Sequence, residues 1–506
     1  MMKKLFCATY VGIDAQVIDV EATLTKGLPS FNVVGSLSSS MSGDLKERVK
    51  SALLTNEFKF PPKRISISLS PSDIPNKTGS HFDLSIALLI LLNNSSIALD
   101  NWFAFGELGL DGRVKENVYL YPLILSLANQ KLLTKVIVPF DALEKLSNIP
   151  NVAFYGVKTL KEALELLKNQ ETIAPNTMNK SIAYPFYEIA NEKYYYMKEY
   201  KEDFIEVKGQ AVAKRAALIS VAGFHNILFE GSPGCGKSMI ASRMQYILPP
   251  MTSAEILDNA KLNVLDDKEP NFAPRRTMRA VHCTSSSASV FGGGSFKAKI
   301  GEVGLAHNGI IFFDELPHFS KAVLESMREP MQDNKIRISR VNSKVEYPTN
   351  FLFIGAMNPC PCGNLLNANK ECRCSDVEIQ RYKNRLSDPF LDRIDMYVMM
   401  QNVSPADTPT LTSKEMHKKV VESHIFMKQR GQMSFNAKLN DTEIEKYCEM
   451  EADAKETLET ASYRFALSLR SIKKVQKVAR TIADLEQSPR IQKQHILEAL
   501  SFRKRS

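Results

Sequence analysis

The chain has 506 residues, room for two to four domains. Its 44% hydrophobic and 24% charged residues suit a globular protein and exclude a disordered polyelectrolyte or a collagen-like repeat. The formal net charge of +9 is a modest excess for this length; it permits nucleic-acid binding without requiring it. The longest strongly apolar stretch, Leu84 to Leu92, is too short to span a bilayer. The start, Met1 to Cys7, has no sustained apolar region before Gly12, so we expect no secretory signal, no membrane partner and a cytoplasmic location.

Residues 1–170 read as an α/β unit with its own core. Gln16–Leu24 alternates as a strand, Gly27-Leu28-Pro29 turns, and Phe31–Val34 starts another strand. Asp44–Leu54 reads as a helix with Leu45, Val49 and Ala52 on one face. Arg64–Leu69 alternates cleanly, Asp83–Leu92 reads as a buried helix, and Val136–Pro139 is a short strand. Leu160, Ala163, Leu164 and Leu167 mark a closing amphipathic helix. Residues 171–204 are polar and then rich in tyrosine and charge, without clear periodicity, and read as a linker.

Residues 205–400 hold the chemistry. Gly231-Ser232-Pro233-Gly234-Cys235-Gly236-Lys237-Ser238 fits G-x-x-x-x-G-K-[ST]. An apolar run, Asn226–Glu230, precedes it, and Met239–Met244 reads as a helix start. In that setting backbone N–H groups and the helix N-terminus can cradle phosphates. Lys237 would reach the β- and γ-phosphates of ATP, and Ser238 would hold Mg²⁺. A second apolar strand, Gly309–Phe313, ends in Asp314-Glu315; Asp314 would be the Mg²⁺ carboxylate and Glu315 would polarise the attacking water.

Between these motifs lies a basic, polar, glycine-rich stretch, with Arg275-Arg276-Thr277-Met278-Arg279, His282-Cys283 and Gly292-Gly293-Gly294. Its composition predicts a large flexible loop outside the core. After Glu315 a helix carries Leu324, Met327 and Met331. A hairpin follows, 335–348, with Arg340 and Lys344 at its tip. Phe351–Met357 is a strand ending at Asn358, placed to orient water or a γ-phosphate.

Cys360, Cys362, Cys372 and Cys374 follow as C-x-C, nine residues, C-x-C. Four thiolates can close a tetrahedral Zn²⁺ site; reduced free thiols and an iron–sulfur cluster are the alternatives. Residues 401–506 are helical by pattern, with 442–448, 454–460 and 472–485 the clearest segments.

The order and wording of these stretches resemble the ComM/YifB family of magnesium-chelatase-like AAA+ ATPases. The matching front segments are Gly27–Phe31, Ser68–Asp73, Gly79–Leu84 and Gly106–Gly112; the cysteine arrangement also occurs in that family. The resemblance implies a Lon-protease-like (S5-like) α/β N-terminal domain at 1–170 and a linker at 171–204. It further implies a P-loop AAA+ α/β core at 205–400, with an insertion and a pore hairpin, and a C-terminal α-helical lid at 401–506. Lon proteases use a Ser–Lys dyad; the corresponding places fall at His81-Phe82 and Leu120-Tyr121, so no peptidase activity is expected.

By resemblance, Val207 and Gly209 contact the adenine and Asn358 is the first sensor. Arg393, in Leu391-Asp392-Arg393, is the arginine finger offered to a neighbouring subunit's ATP, where a guanidinium stabilises charge on the transferring phosphoryl group. A salt bridge to Asp392 or Asp395 is its plain alternative. Arg470, in Ser468–Ile472, is the second sensor, touching the γ-phosphate from the lid. The family implies ATP and Mg²⁺ as cofactors and a hexameric ring. It also implies a motor on single-stranded or branched DNA, reached through Arg340 and Lys344, that drives branch migration in natural transformation. Two other classes stay open: a chelatase motor subunit for metal insertion, and an ATP-dependent protein-remodelling factor.

Overall fold

The computed structural model describes residues 3–503 apart from 12–13, 36–38, 73, 75–76, 78, 177–181, 294–298, 340–343, 368–369, 403–407 and 409. The chain divides into two compact units, the first built mainly from Met1–Ala183 and the second from Tyr184–Asn259 and most of the chain from Phe272 onward.

The first unit is a seven-stranded mixed sheet. Its strands are β1 (Lys4–Val11), β2 (Asp14–Thr25), β3 (Ser30–Val34), β4 (Arg64–Ser70), β5 (Trp102–Ala104), β6 (Lys135–Pro139) and β7 (Ala153–Val157), in the order β3-β4-β2-β1-β5-β6-β7. Alternation in β4 turns Ile65, Ile67 and Leu69 inward, as a strand with one covered face requires. Helix α1 (Ser39–Thr55) buries Leu45, Val49 and Ala52. Helix α2 (Asp83–Leu92) is buried at every position but Leu91. Its first residue, Asp83, is a fully buried carboxylate held by Arg48 at 2.6 Å. Helices α3 (Leu120–Asn129) and α4 (Leu160–Lys168) complete the unit.

The second unit opens on a hairpin where the sequence predicts an irregular linker. Strands β8 (Phe186–Ile189) and β9 (Glu192–Tyr195) pair antiparallel, and β9 continues onto β11 (Met251–Thr252). The turn is Ala190-Asn191, both left-handed at φ 53° and 63°, the geometry of a tight two-residue hairpin. Alanine at the first position hides that turn from a sequence reading.

The centre of the unit is a five-stranded parallel sheet. Its strands are β10 (Ile227–Gly231), β12 (Met278–Val281), β13 (Ile310–Phe313), β16 (Leu352–Met357) and β17 (Met396–Met400), in the order β12-β13-β16-β10-β17. Every residue of β13 and β16 is buried, which explains their unbroken apolar runs. The hairpin strands β14 (Lys335–Ser339) and β15 (Lys344–Pro348) pair only with each other among the described residues.

The basic stretch at 275–279 corrects the expectation that this region lies outside the core. Met278–Val281 is edge strand β12, and Arg276 is buried. Its guanidinium donates to the carbonyls of Pro249 (3.0 Å), Pro250 (2.9 Å) and Asn308 (3.0 Å) and pairs with Glu255 at 2.9 Å. A charge so fully partnered can enter a core.

Helix α5 (Ala211–Gly223) and helix α6 (Lys237–Met244) flank β10. The helix expected around Leu324–Met331 is two, α7 (Lys321–Ser326) and α8 (Arg328–Asp333), meeting at Met327. Helix α9 (Asp376–Lys383) starts on a Ser375 capping box. The C-terminal helices are α10 (Ser413–Gln429), α11 (Asp441–Tyr447), α12 (Ala452–Arg464), α13 (Leu469–Leu485) and α14 (Lys493–Ser501). Among the described residues, no helix is long and apolar enough to cross a membrane.

Candidate nucleotide-binding site

Four predicted residues meet at the carboxyl edge of the parallel sheet. Strand β10 ends at Gly231 and Lys237 begins α6, so the intervening loop reverses direction over five residues. Gly234 and Gly236 take φ of +82° and +95°, which side chains rarely tolerate. Strand β16 lies between β10 and β13, and it brings Asn358 against the loop: Lys237 Nζ donates to Asn358 Oδ1 at 3.1 Å. The same ammonium donates to the carbonyls of Gly231 (2.6 Å) and Ser232 (3.1 Å). Strand β13 ends at Asp314, whose Oδ2 accepts from Ser238 Oγ at 2.8 Å. Its Oδ1 accepts from the Glu315 backbone N–H at 2.9 Å. Glu315 is exposed and left-handed at φ 51°, a conformation that costs a non-glycine residue about 1–3 kcal/mol and clusters at functional sites.

Val207 is buried, Gly209 is left-handed at φ 59°, and its N–H reaches the Thr408 carbonyl at 3.4 Å. Gln210 is a residue that sequence reasoning passed over. Left-handed at φ 54°, it sends its amide N–H to the carbonyls of Cys235 (3.1 Å) and Gln401 (2.5 Å), tying the phosphate loop to the chain beyond β17. Its signal was slight, one polar residue after Gly209.

Arg393 and Arg470 lie elsewhere. Asn226, just before β10, donates its amide to the Arg393 carbonyl at 3.0 Å and accepts from the Phe353 N–H at 3.1 Å. Arg393 is thus pinned at the amino end of the strand whose carboxyl end carries the phosphate loop. Five strand residues separate those ends by about 17 Å, beyond an arginine's reach. Its guanidinium donates to Gln332 Oε1 at 2.6 Å and to the Pro389 carbonyl. Burial, with Arg470 and Arg328 nearby, lowers its pKa. Asp392 instead pairs with Arg470 at 2.9 Å and Lys474 at 3.4 Å, and Asp395 accepts from the Asn226 N–H at 2.9 Å. Arg470 therefore sits with Arg393 and not with Lys237. The two share a cavity of 610 Å³ that Lys438, Lys473 and Lys477 also line.

The four cysteines converge. Their sulfurs all lie within 4.8 Å of one another, with Cys360–Cys362 at 3.4 Å, Cys362–Cys372 at 3.6 Å and Cys360–Cys372 at 3.7 Å. A zinc–sulfur bond of about 2.3 Å gives a tetrahedron with edges of about 3.8 Å, and the set fits it. Arg340 lies outside the described residues. Lys344 opens β15, and its side chain is likewise outside them.

A parallel sheet in which the strand before Asn358 lies between the strand of the glycine loop and the strand before Asp314-Glu315 is consistent with a P-loop AAA+ fold. Residues 203–408 match the family "Magnesium chelatase, subunit ChlI", residues 20–142 match "Subunit ChlI of Mg-chelatase", and residues 410–503 match "Magnesium chelatase, subunit ChlI C-terminal". The competence protein ComM of Haemophilus influenzae is 36% identical, over 97% of this chain and 96% of its own. YifB of Salmonella typhimurium is 34% identical and YifB of Escherichia coli 33%, each over 97% of this chain and 95% of the relative. The chain belongs to the ComM/YifB family of magnesium-chelatase-like AAA+ proteins.

Proposed function

We propose that this chain is an ATP-hydrolysing ring motor acting on DNA. The carrying observation is the convergence of Lys237, Ser238, Asp314 and Asn358 at one sheet edge. Lys237 would neutralise the β- and γ-phosphates, and Ser238 with Asp314 would hold Mg²⁺, which offsets phosphate charge when bound. Glu315 would take the proton side of the attacking water and Asn358 would orient it. The loop glycines, Pro233, Cys235 and Ser232 would line the phosphates, with Val207 and Gly209 at the adenine.

Arg393 and Arg470 would serve a neighbouring subunit's nucleotide. The strand-length separation of Arg393 from its own loop supports that reading, and so does the Asp392 bridge to Arg470. A site finished by a neighbour needs a head-to-tail assembly, for which we take a closed hexameric ring. In this reading residues 1–170 form a front domain without peptidase activity, 205–400 the motor core and 401–506 the lid. The four cysteines would hold a structural zinc. By analogy with a relative named for competence, the motor would act on single-stranded or branched DNA, in branch migration during transformation. Arg340 and Lys344 would make the phosphate contacts.

Steady-state ATP hydrolysis measured with single-stranded, duplex and branched DNA tests this, alongside Lys237→Ala and the double variant Arg340→Ala/Lys344→Ala. DNA stimulation that disappears in the hairpin variant, with basal rate retained, is the expected result. A healthy rate indifferent to every DNA would favour the chelatase-type or protein-remodelling reading instead.

A further inference from the structure

We infer that the four-cysteine centre is part of the nucleotide site: a metal on Cys360, Cys362, Cys372 and Cys374 holds Asn358 and the phosphate loop in their working positions. The inference rests on the ATPase reading above. Cys360 stands two residues beyond Asn358, and its turn is closed by the Gly363 N–H on the Cys360 carbonyl at 3.0 Å. That turn abuts the phosphate loop itself: a Cβ on Gly363 would lie 2.6 Å from Pro233 Cδ.

The second pair leads straight into α9, whose cap is Ser375. The Tyr382 hydroxyl on α9 lies near the Asn358 backbone N–H, which offsets part of the rise in its pKa that burial causes. The Tyr382 ring packs edge-on to His318, just past Asp314-Glu315, at 6.0 Å between centroids. Lys383 pairs with Glu230, the residue before Gly231, at 3.2 Å. The two cysteine pairs therefore sit on two segments that flank Asn358, one in its own chain and one carrying Tyr382.

Between the pairs, Leu365 is 40% exposed, and Lys370 and Glu371 are exposed. Such a segment contributes little burial to fasten the two segments together; bonds from four sulfurs to one ion would. A displacement of about 1 Å at a positioning group costs about 100-fold in rate, so slackness at this turn reaches the chemistry.

The test uses the whole purified chain. Zinc is counted by elemental analysis, removed with a chelator under reducing conditions, and restored. Affinity for a fluorescent ADP analogue is measured at each stage, with hydrolysis in parallel. About one zinc per chain is expected, with nucleotide affinity falling at least about tenfold on stripping and returning with zinc. Cys372→Ser/Cys374→Ser should copy the stripped state. Tyr382→Phe should keep its zinc and yet lose hydrolysis about tenfold, since it removes only the hydroxyl beside the Asn358 N–H. A zinc-free chain that binds nucleotide as tightly as the loaded one, or a Tyr382→Phe chain with full activity, overturns the coupling. Less than a tenth of a zinc per chain after gentle purification overturns the metal. Failure of the ATPase reading is separate: the loaded chain and Lys237→Ala would then hydrolyse ATP equally.

Discussion

Lys237 donates to two loop carbonyls and to Asn358, which hold its ammonium within the glycine loop. Lys237→Ala should lower hydrolysis at least about 100-fold, as loss of a preorganised cationic group does. Phosphate release at saturating ATP checks this, with the fluorescent nucleotide reporting whether binding goes too. Arg393 has the opposite expectation. Arg393→Ala should leave nucleotide affinity of its own loop nearly intact while hydrolysis falls about 1,000-fold, the scale of a lost arginine finger. Mixing Arg393→Ala with Lys237→Ala chains should restore part of the rate if the finger works between subunits. No recovery at any mixing ratio would sink the trans assignment. Lys237 stands out in the sequence by its motif letters and Arg393 by the resemblance to the family. Gln210 and Tyr382 were not, because each works through a backbone group that only the folded chain brings near.

Among the elements, the parallel sheet was the easiest to foresee. β13 and β16 are apolar without interruption because both faces are covered, and β10 is marked by the loop that follows it. β12 was missed, since Arg276 and Arg279 argue against burial in any composition-based reading. Arg279 is offset by Glu302, with donor distances of 2.6 and 3.0 Å, and Arg276 by four carbonyl or carboxylate acceptors. Arg276→Ala should destabilise the second unit by about 3–5 kcal/mol, the cost of stranding buried partners. Urea unfolding followed by tyrosine fluorescence reads it; a change under about 1 kcal/mol would mean that water replaces the guanidinium at little cost. Helix α13 was foreseen over 472–485; the structure starts it at Leu469, on a Ser468 cap that accepts from the Ser471 N–H.

At the scale of the whole chain, acidity should matter more than the net charge suggests. Burial pushes His225 and His417 down to about 4 from 6.5, and it lowers His424 well below 6.5. Each ring is a neutral hydrogen-bonding partner: His225 with Thr481 (2.7 Å), His417 with Tyr200 (3.0 Å) and His424 with Tyr187. The unfolded chain takes up protons near pH 6.5 that the folded chain refuses. Their stabilisation is therefore complete above about pH 6.5 and drains as pH falls toward 4, at up to about 1.4 kcal/mol per unit per histidine. Thermal melts between pH 4.5 and 7.5 should show a midpoint that rises with pH, with a shallower slope in His225→Gln. A flat profile would contradict neutral burial.

What the residue order determined alone was local: the glycine loop, the apolar strands, Asp314-Glu315, the cysteine spacing and the helical end, each written within a few consecutive positions. What the tertiary structure decided was which of these meet. It set β16 between β10 and β13, so that Asn358 faces Lys237. It closed four cysteines into one cluster, and it put Arg393 and Arg470 at the far end of β10 from the loop. Adjacency of strands, burial of a charge and the end of a sheet at which a side chain falls are set by long-range packing, and no short window of sequence contains them.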